Sequence, residues 1–297
     1  MTIVSPPAVL IEHWLPLAEI GVESRRERAA SSALPPLYFL HVWWARRPLV
    51  ACRAAILGSL LPSWRADWPA PLRDQFPTEK SYQAWFMRLL GIHGDPVAAQ
   101  KIIHYAKNKG IKLPGNPYGY QRAFTYNPEA DDLKTILDLV EVVWGTRNIA
   151  AMDPMAGGGS IPFEALRLGL TTHAYELNPV ASVILRATLD YPARFGSDFA
   201  IKILKWGGIL NKYVEKKLAA YFPRQTGENI FAYIWARTVA CPTTGKPVPL
   251  SPNWWLQKGE EPVAVQLLVD PDWPECRFRI LTGEKARQSH PDNGTIK

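Results

Sequence analysis

Asp153, the three consecutive glycines 157–159 and Glu176 are the residues of this sequence whose types and spacing could do chemistry. They lie in MDPMAGGGSIPFEALRLGL (152–170) and in the THAYELNP that follows. Glycines let a backbone approach a ligand without side chains in between. An acid at the end of a strand accepts hydrogen bonds from hydroxyls or amines. Three nucleotide classes use such a loop. A P-loop needs Gly-Lys-Ser/Thr, but Gly245-Lys246 is followed by Pro247 and lies far downstream. A dinucleotide loop needs G-x-G-x-x-G, and here Gly157-x-Gly159 is followed by Pro162 in the third glycine position. That proline is incompatible with the close helix–strand packing the third glycine permits. S-Adenosylmethionine carries no phosphate, so it requires only bare backbone beside the adenosine and methionine parts and an acid for the ribose. Glu176 follows Asp153 at about the 20-residue spacing usual for a ribose-binding acid. The reading assigns Glu176 to the ribose, Asp153 to the cofactor's amino group and Gly157, Gly158 and Gly159 to its methionine side. Ser160 is the expected N-cap of the next helix, with Pro162 in its first turn. A glycine turn in a nucleotide-free α/β protein is the plain alternative.

The flanking elements must position these residues. NIAAMD reads as a strand, IPFEALRLG as a helix, THAYE as a second strand and VASVILRATL as a helix. This alternation is the signature of a parallel α/β sheet. Upstream, helices are expected after Pro48, in DPVAAQKIIHYAKNKG with Gly110 as its stop, and over 129–145. LPGNPYGYQRAFTYNP is dense in turn residues and reads as a loop. A longer helix spans about 198–220. FAYIWARTV, PVAVQLLVD and CRFRIL then read as strands of a small antiparallel module at about 229–285. The expected segments are an N-terminal segment 1–60, a helical and loop region 61–128, a partial Rossmann-like cofactor-binding region 129–225, and a β ribbon-like module with a polar tail, 226–297.

The chain has 297 residues, 47% of them hydrophobic, enough for a sizeable core. Twelve Trp and 27 Pro point to aromatic clusters and rigid turns. A net charge of +7 favours an anionic partner. Three scattered cysteines do not make a disulfide framework. The first residues lack the basic start of a signal peptide, and no apolar run is long enough to span a membrane. A cytoplasmic location and no membrane partner are the expectation.

DPMAGGGSIPFEALRLG with YELNPVA resembles motif I and its successor in amino-methyltransferases. LHVWWARRPLVACRA, NPYGYQRAFTYNP and YIWARTVACP narrow the match. Together they resemble the zinc-ribbon-containing adenine-specific DNA methylase family, in its N-terminal part with a conserved domain of unknown function. The resemblance covers about residues 10–60 and 115–256. It implies a Rossmann-like fold, S-adenosylmethionine as cofactor and DNA adenine as substrate. It also places Pro154, Ala156 and Asn178 around the cofactor.

Two departures follow. The family's Cys-Pro-x-Cys-Gly knuckle is Cys241-Pro242-Thr243-Thr244-Gly245 here, with Thr244 in the second ligand position. Cys241 and Cys276 cannot supply the four ligands of tetrahedral zinc, so no metal is expected. The family's Asp/Asn-Pro-Pro-aromatic tetrapeptide, which holds the target amine and stacks on the flipped base, has no counterpart. SPPA (5–8) and LPPLY (34–38) do not fit it, and NPYG (116–119) lacks the second proline. Asn116 and Tyr118 are thus weak catalytic candidates, with a structural turn as the alternative. With only two or three strands of a seven-stranded sheet, the chain reads as the cofactor-binding N-terminal part of a longer methylase: a truncated or interrupted gene product, or one half of a split enzyme whose C-terminal chain carries the catalytic motif. An RNA or protein methyltransferase, and a non-catalytic nucleic-acid-binding protein with a vestigial cofactor loop, stay open as alternatives.

Arg46, Arg47 and Trp44 in HVWWARRP are the nucleic-acid-binding candidates, Arg for phosphate and Trp for bases. The alternative for that string is core Trp with solvated or structural Arg. Arg25, Arg26 and Arg28 read as a solvated basic face.

Overall fold

A computed structural model describes residues 8–29, 33–222 and 233–296. Its contacts divide the chain into two units, Met1–Asn211 and Lys212–Lys297. The first unit carries α1 (Leu17–Arg28), α2 (Pro36–Leu40), α3 (Leu49–Leu60), α4 (Ala70–Gln75), α5 (Glu79–Leu89), α6 (Pro96–Lys109) and α7 (Ala130–Trp144). Strand β1 (Ala150–Asp153), α8 (Ser160–Arg167), β2 (Thr171–Ala174), α9 (Pro179–Leu185) and α10 (Tyr191–Phe195) follow. Helix α11 (Asp198–Leu218) contains the boundary between the units.

Local chemistry explains many of these ends. Thr78, Asp95 and Asn178 cap α5, α6 and α9 through side-chain oxygens that accept backbone N–H bonds. Gly110 and Gly145, both at φ 66°, end α6 and α7 in the left-handed conformation. Residues 113–128 form the expected loop, with a single 3-10 turn at Ala123–Thr125.

One apolar core runs from Leu10 through α3, α5 and α7 to Leu170. It includes an aromatic cluster of Trp68, Phe76, Tyr82 and Trp85. Helix α3 packs on α8. The described residues of the N-terminal segment and of the strand–loop–helix region therefore share one core. A buried ionic knot fixes this packing. Arg53 Nε of α3 donates to Glu164 Oε2 of α8 at 2.6 Å, and Arg167 Nη1 donates to Glu164 Oε1 at 2.6 Å. Arg167 also donates to the Phe124 and Tyr126 carbonyls and to Asn127 Oδ1, which ties α8 to the 113–128 loop.

β1 and β2 are parallel, in register from Ala150 opposite Thr171 to Asp153 opposite Ala174. α8 is the crossover between them. Ala151, Asp153, Thr172 and Ala174 are half-buried, and the other face, with Met152 and His173, is exposed. The chain is thus a mixed helix-and-sheet protein with one short parallel pair among the described residues.

The second unit carries β3 (Thr238–Ala240), β4 (Pro247–Pro249), β5 (Trp255–Gln257), β6 (Val263–Leu268), β7 (Arg277–Thr282) and α12 (Glu284–Gln288). β3 pairs with β4, and β5, β6 and β7 form an antiparallel sheet in that order. The strand expected over 231–239 is shorter. Residues 231 and 232 lie outside the described ones, and pairing begins only at Thr238, where β4 supplies a partner.

Three other expectations change. Gly159, at φ 81°, is the N-cap of α8, and Ser160 is its first helical residue. The helix expected over VASVILRATL stops at Leu185 and passes through a π turn at Arg186–Asp190 into α10. Arg25, Arg26 and Arg28 lie on α1, and Arg26 is not solvated. It is buried, bonded to Glu23 Oε1 at 3.0 Å, and donates to the Tyr120 carbonyl at 2.7 Å.

Candidate functional site

The parallel ladder continues past the strands into the glycine loop. Tyr175 N donates to the Asp153 carbonyl at 2.9 Å, and Ala156 N donates to the Tyr175 carbonyl at 3.0 Å. The loop is then closed by Glu176. Its Oε2 accepts from Gly157 N at 2.7 Å, and its Oε1 accepts from Leu177 N at 2.9 Å and Asn178 N at 3.0 Å. These amides, Asn178 and Gly157 foremost, hold the Glu176 carboxyl below the usual carboxylate range. An ionised carboxylate has about four acceptor positions, and three are used. One stays available on Oε2, so the two-hydroxyl grip expected of Glu176 would require release of the loop. Asp153 Oδ1 accepts from Met155 N at 3.1 Å. Asn178 Oδ1 is committed to capping α9 through Val180 N and Ala181 N.

The glycines are required by the protein's own packing. A Cβ at Gly157, which sits at φ 50°, would stand 2.8 Å from Trp43 Nε1. A Cβ at Gly158 would stand 2.6 Å from Arg46 Nε, and one at Gly159 would stand 3.0 Å from Leu185 Cδ2. Trp43 is buried against Ala181 and Ile184 of α9. The WWARRP string therefore closes over the glycine loop from residues more than a hundred positions upstream.

The expected cofactor residues divide accordingly. Asp153, Gly157, Glu176 and Asn178 are half-buried and Pro154 is exposed, at the open carboxyl end of the strands. Ala156, Gly158 and Gly159 are buried and shape the loop from inside, so they offer no contact surface as placed. Met155 and Leu177 flank this edge, both fully exposed.

Arg46 is 2% exposed, and its side chain is removed from the nucleic-acid-facing set by that burial. Its guanidinium lies over the Tyr38 ring at 4.9 Å. None of its three side-chain nitrogens has a hydrogen-bond partner. Burial lowers its pKa, but an arginine stays cationic at neutral pH. Ser160 Oγ, on a residue 4% exposed, and Tyr38 Oη are also buried without a partner. Trp44 and Arg47 are exposed, with Trp44 stacked on Trp43 at 4.2 Å.

The 116–119 turn is built as a turn. Asn116 Nδ2 donates to the Tyr120 carbonyl at 2.8 Å, and its Oδ1 accepts from Tyr118 N at 3.2 Å. Arg26 covers one face of the Tyr118 ring at 3.9 Å. Oδ1, the atom that would accept from an amine, already accepts from Tyr118 N.

In the second unit, Cys241 and Cys276 line one cavity of about 260 Å³ together with Thr244. The knuckle turn is formed, with Cys241 N bonded to the Lys246 carbonyl and Gly245 N to the Cys241 carbonyl, each at 2.8 Å. Hydrogen bonds from Thr244 and Thr243 lower the Cys241 thiol to about 7. No cluster of three or more His, Cys, Asp or Glu suited to a metal occurs among the described residues.

Sequence reasoning missed Glu23, Glu27, Arg53 and Glu164; for Arg46 the burial agrees with the alternative of core Trp with structural Arg. Their only signal was charge set inside apolar runs, as with Arg53 in LVACRAAIL.

Residues 14–88 match a family model described as "Protein of unknown function (DUF1156)". The matched segment covers about a quarter of the chain and contains Trp43 and Arg46, which pack on the glycine loop, and Arg53, which bonds to α8. No curated protein and no solved structure matches the chain. Among the described residues no helix is long and apolar enough to cross a membrane.

Proposed function

We propose that the chain is the cofactor-binding part of an S-adenosylmethionine-dependent DNA adenine methyltransferase of Rossmann-like fold. The observation that carries the reading is the β1–loop–α8–β2 unit, whose glycine loop is locked to the acid at the end of the second strand. In open α/β sheets ligands bind outside the carboxyl ends of the strands. That edge holds Asp153, Gly157 and Glu176, with one acceptor position left on Glu176 for a ribose hydroxyl. The cofactor, when bound, supplies an electrophilic methyl group. Asp153 accepts from its amino group and Glu176 from its ribose.

Methyl transfer also needs the target amine held in line with the donor. Nothing in residues 1–297 has the Asp/Asn-Pro-Pro-aromatic string, and Asn116 is occupied in its turn. The reading therefore assigns that task to a C-terminal methylase chain. Arg47 and Trp44, with the net charge of +7, give the DNA affinity, which is salt-sensitive and weakly sequence-selective. The test is a tritiated-methyl transfer assay on duplex DNA. The chain alone should transfer no methyl, and addition of a polypeptide carrying the missing motif should restore transfer. Robust turnover by the chain alone would overturn this division of labour.

A further inference from the structure

Arg46 poses a question the fold does not answer. A buried charge without a partner is costly, and folded proteins pair such groups. Here the guanidinium is 98% removed from water. It has an aromatic face beneath it and no acceptor for any of its N–H groups. Its Nε lies within 2.6 Å of where a Gly158 side chain would begin. Ser160 Oγ, in the first turn of α8, is buried and unpartnered at the same loop. The first turn of α8 adds the partial positive charge of a helix N-terminus. Unpartnered donors and positive charge thus lie on buried residues at the glycine loop, Arg46 against Gly158 and Ser160 two residues further on, opposite in character to the acidic edge of Asp153 and Glu176.

We propose that Arg46 and Ser160 form a carboxylate-binding site behind the glycine loop, which takes the amino-acid carboxylate of the ligand held at Glu176. This assignment rests on the cofactor reading above for the identity of the ligand, but the anion site itself does not. A planar guanidinium matches a carboxylate with two parallel N–H bonds. The burial of Arg46 excludes the phosphate backbone of a nucleic acid as the occupant. Trp43 and Tyr38 wall the site on the side of the WWARRP string. That gives the buried Trp43 and Arg46 of the string a ligand-positioning role, and leaves the DNA contact to the exposed Trp44 and Arg47.

The experiment compares the full chain with Arg46→Met. Binding of S-adenosylhomocysteine and of 5′-methylthioadenosine, which lacks the carboxylate, is measured by calorimetry. Melting temperature is followed with acetate against chloride at constant ionic strength. The parent should prefer S-adenosylhomocysteine by about tenfold or more, the loss expected for one charge-assisted bond. Arg46→Met should lose that preference. Without ligand the variant should melt no lower than the parent, because it removes an unpaired buried charge. Acetate should raise the melting temperature of the parent only. If neither nucleoside binds but acetate still protects only the parent, the anion site stands and the cofactor reading falls. An Arg46→Met chain that keeps the parent's preference overturns the site. So does one that melts lower while acetate protects neither protein.

Discussion

Glu27 is a buried carboxyl whose proton affinity is raised by its surroundings. It is 2% exposed on α1, and both of its oxygens accept from Leu49 N at the start of α3, at 3.0 and 2.9 Å. Burial pushes its carboxyl up to about 7 from 4.5, against the lowering effect of the Leu49 and Val50 amides. The folded state therefore binds this proton more tightly than the unfolded chain. Its contribution is fully present below about 4.5 and is lost as pH rises to about 7, at roughly 1.4 kcal/mol per unit. Glu27→Gln does not titrate. Its stability in denaturant should fall less than the parent's between pH 4.5 and pH 7.5, by about 3 kcal/mol. Parallel pH curves for the two proteins would contradict the burial of an ionisable Glu27. At this scale the sequence was legible where residue type and short spacing suffice. Asp153, the glycines and Glu176 were found in that way, and they do meet at one strand edge. Who crowds the glycines was not legible, because Trp43 and Arg46 reach them across more than a hundred residues. The use of three of the four acceptor positions of Glu176 by amides was hidden for a related reason, since local backbone geometry decides it.

Among the elements, α3 and α8 decide whether the glycine loop has a fixed base. Glu164 is fully buried between Arg53 and Arg167. Removal of one partner leaves an uncompensated buried charge, which costs about 3–5 kcal/mol. Glu164→Gln should lower the urea-unfolding free energy by that amount. The double variant Arg53→Met/Glu164→Leu should lose less than the sum of its single changes. A cost under about 1 kcal/mol for Glu164→Gln would show that the knot does not hold the two helices. Helices α3, α6 and α7 were legible because their apolar spacing, prolines and terminal glycines agree. α1 was not, because its buried residues set Glu23, Arg26 and Glu27 beside only two apolar ones, Ile20 and Val22. Their charge pattern reads as surface until the partners on Tyr120, Ala123 and Leu49 are seen. The π turn at Arg186–Asp190 had no sequence signal in our reading.

For the whole molecule, the parallel pair is the feature that exceeds its own stability. Parallel strands occur almost always in larger sheets covered on both faces, and two-stranded sheets are marginal alone. Here one face of β1 and β2 is open. α11 buries none of its side chains, although Leu204, Trp206 and Leu210 lie along it. Exposed apolar surface of this kind is a common feature of interaction sites. The alternation of strand and helix made the α/β character legible. The number of strands that pair could not be read, since pairing depends on neighbours that local pattern does not specify.

The central claim is that the locked glycine loop and Glu176 hold S-adenosylmethionine. Titration calorimetry of the full chain with S-adenosylmethionine tests it most directly, with Glu176→Ala as the comparison. That substitution removes the ribose acceptor and the tie to Gly157 N together. The account predicts saturable binding at one site per chain, weakened about tenfold or more in Glu176→Ala, as expected for loss of a charge-assisted hydrogen bond. Absence of binding by the parent, or equal affinity in the two proteins, would contradict it.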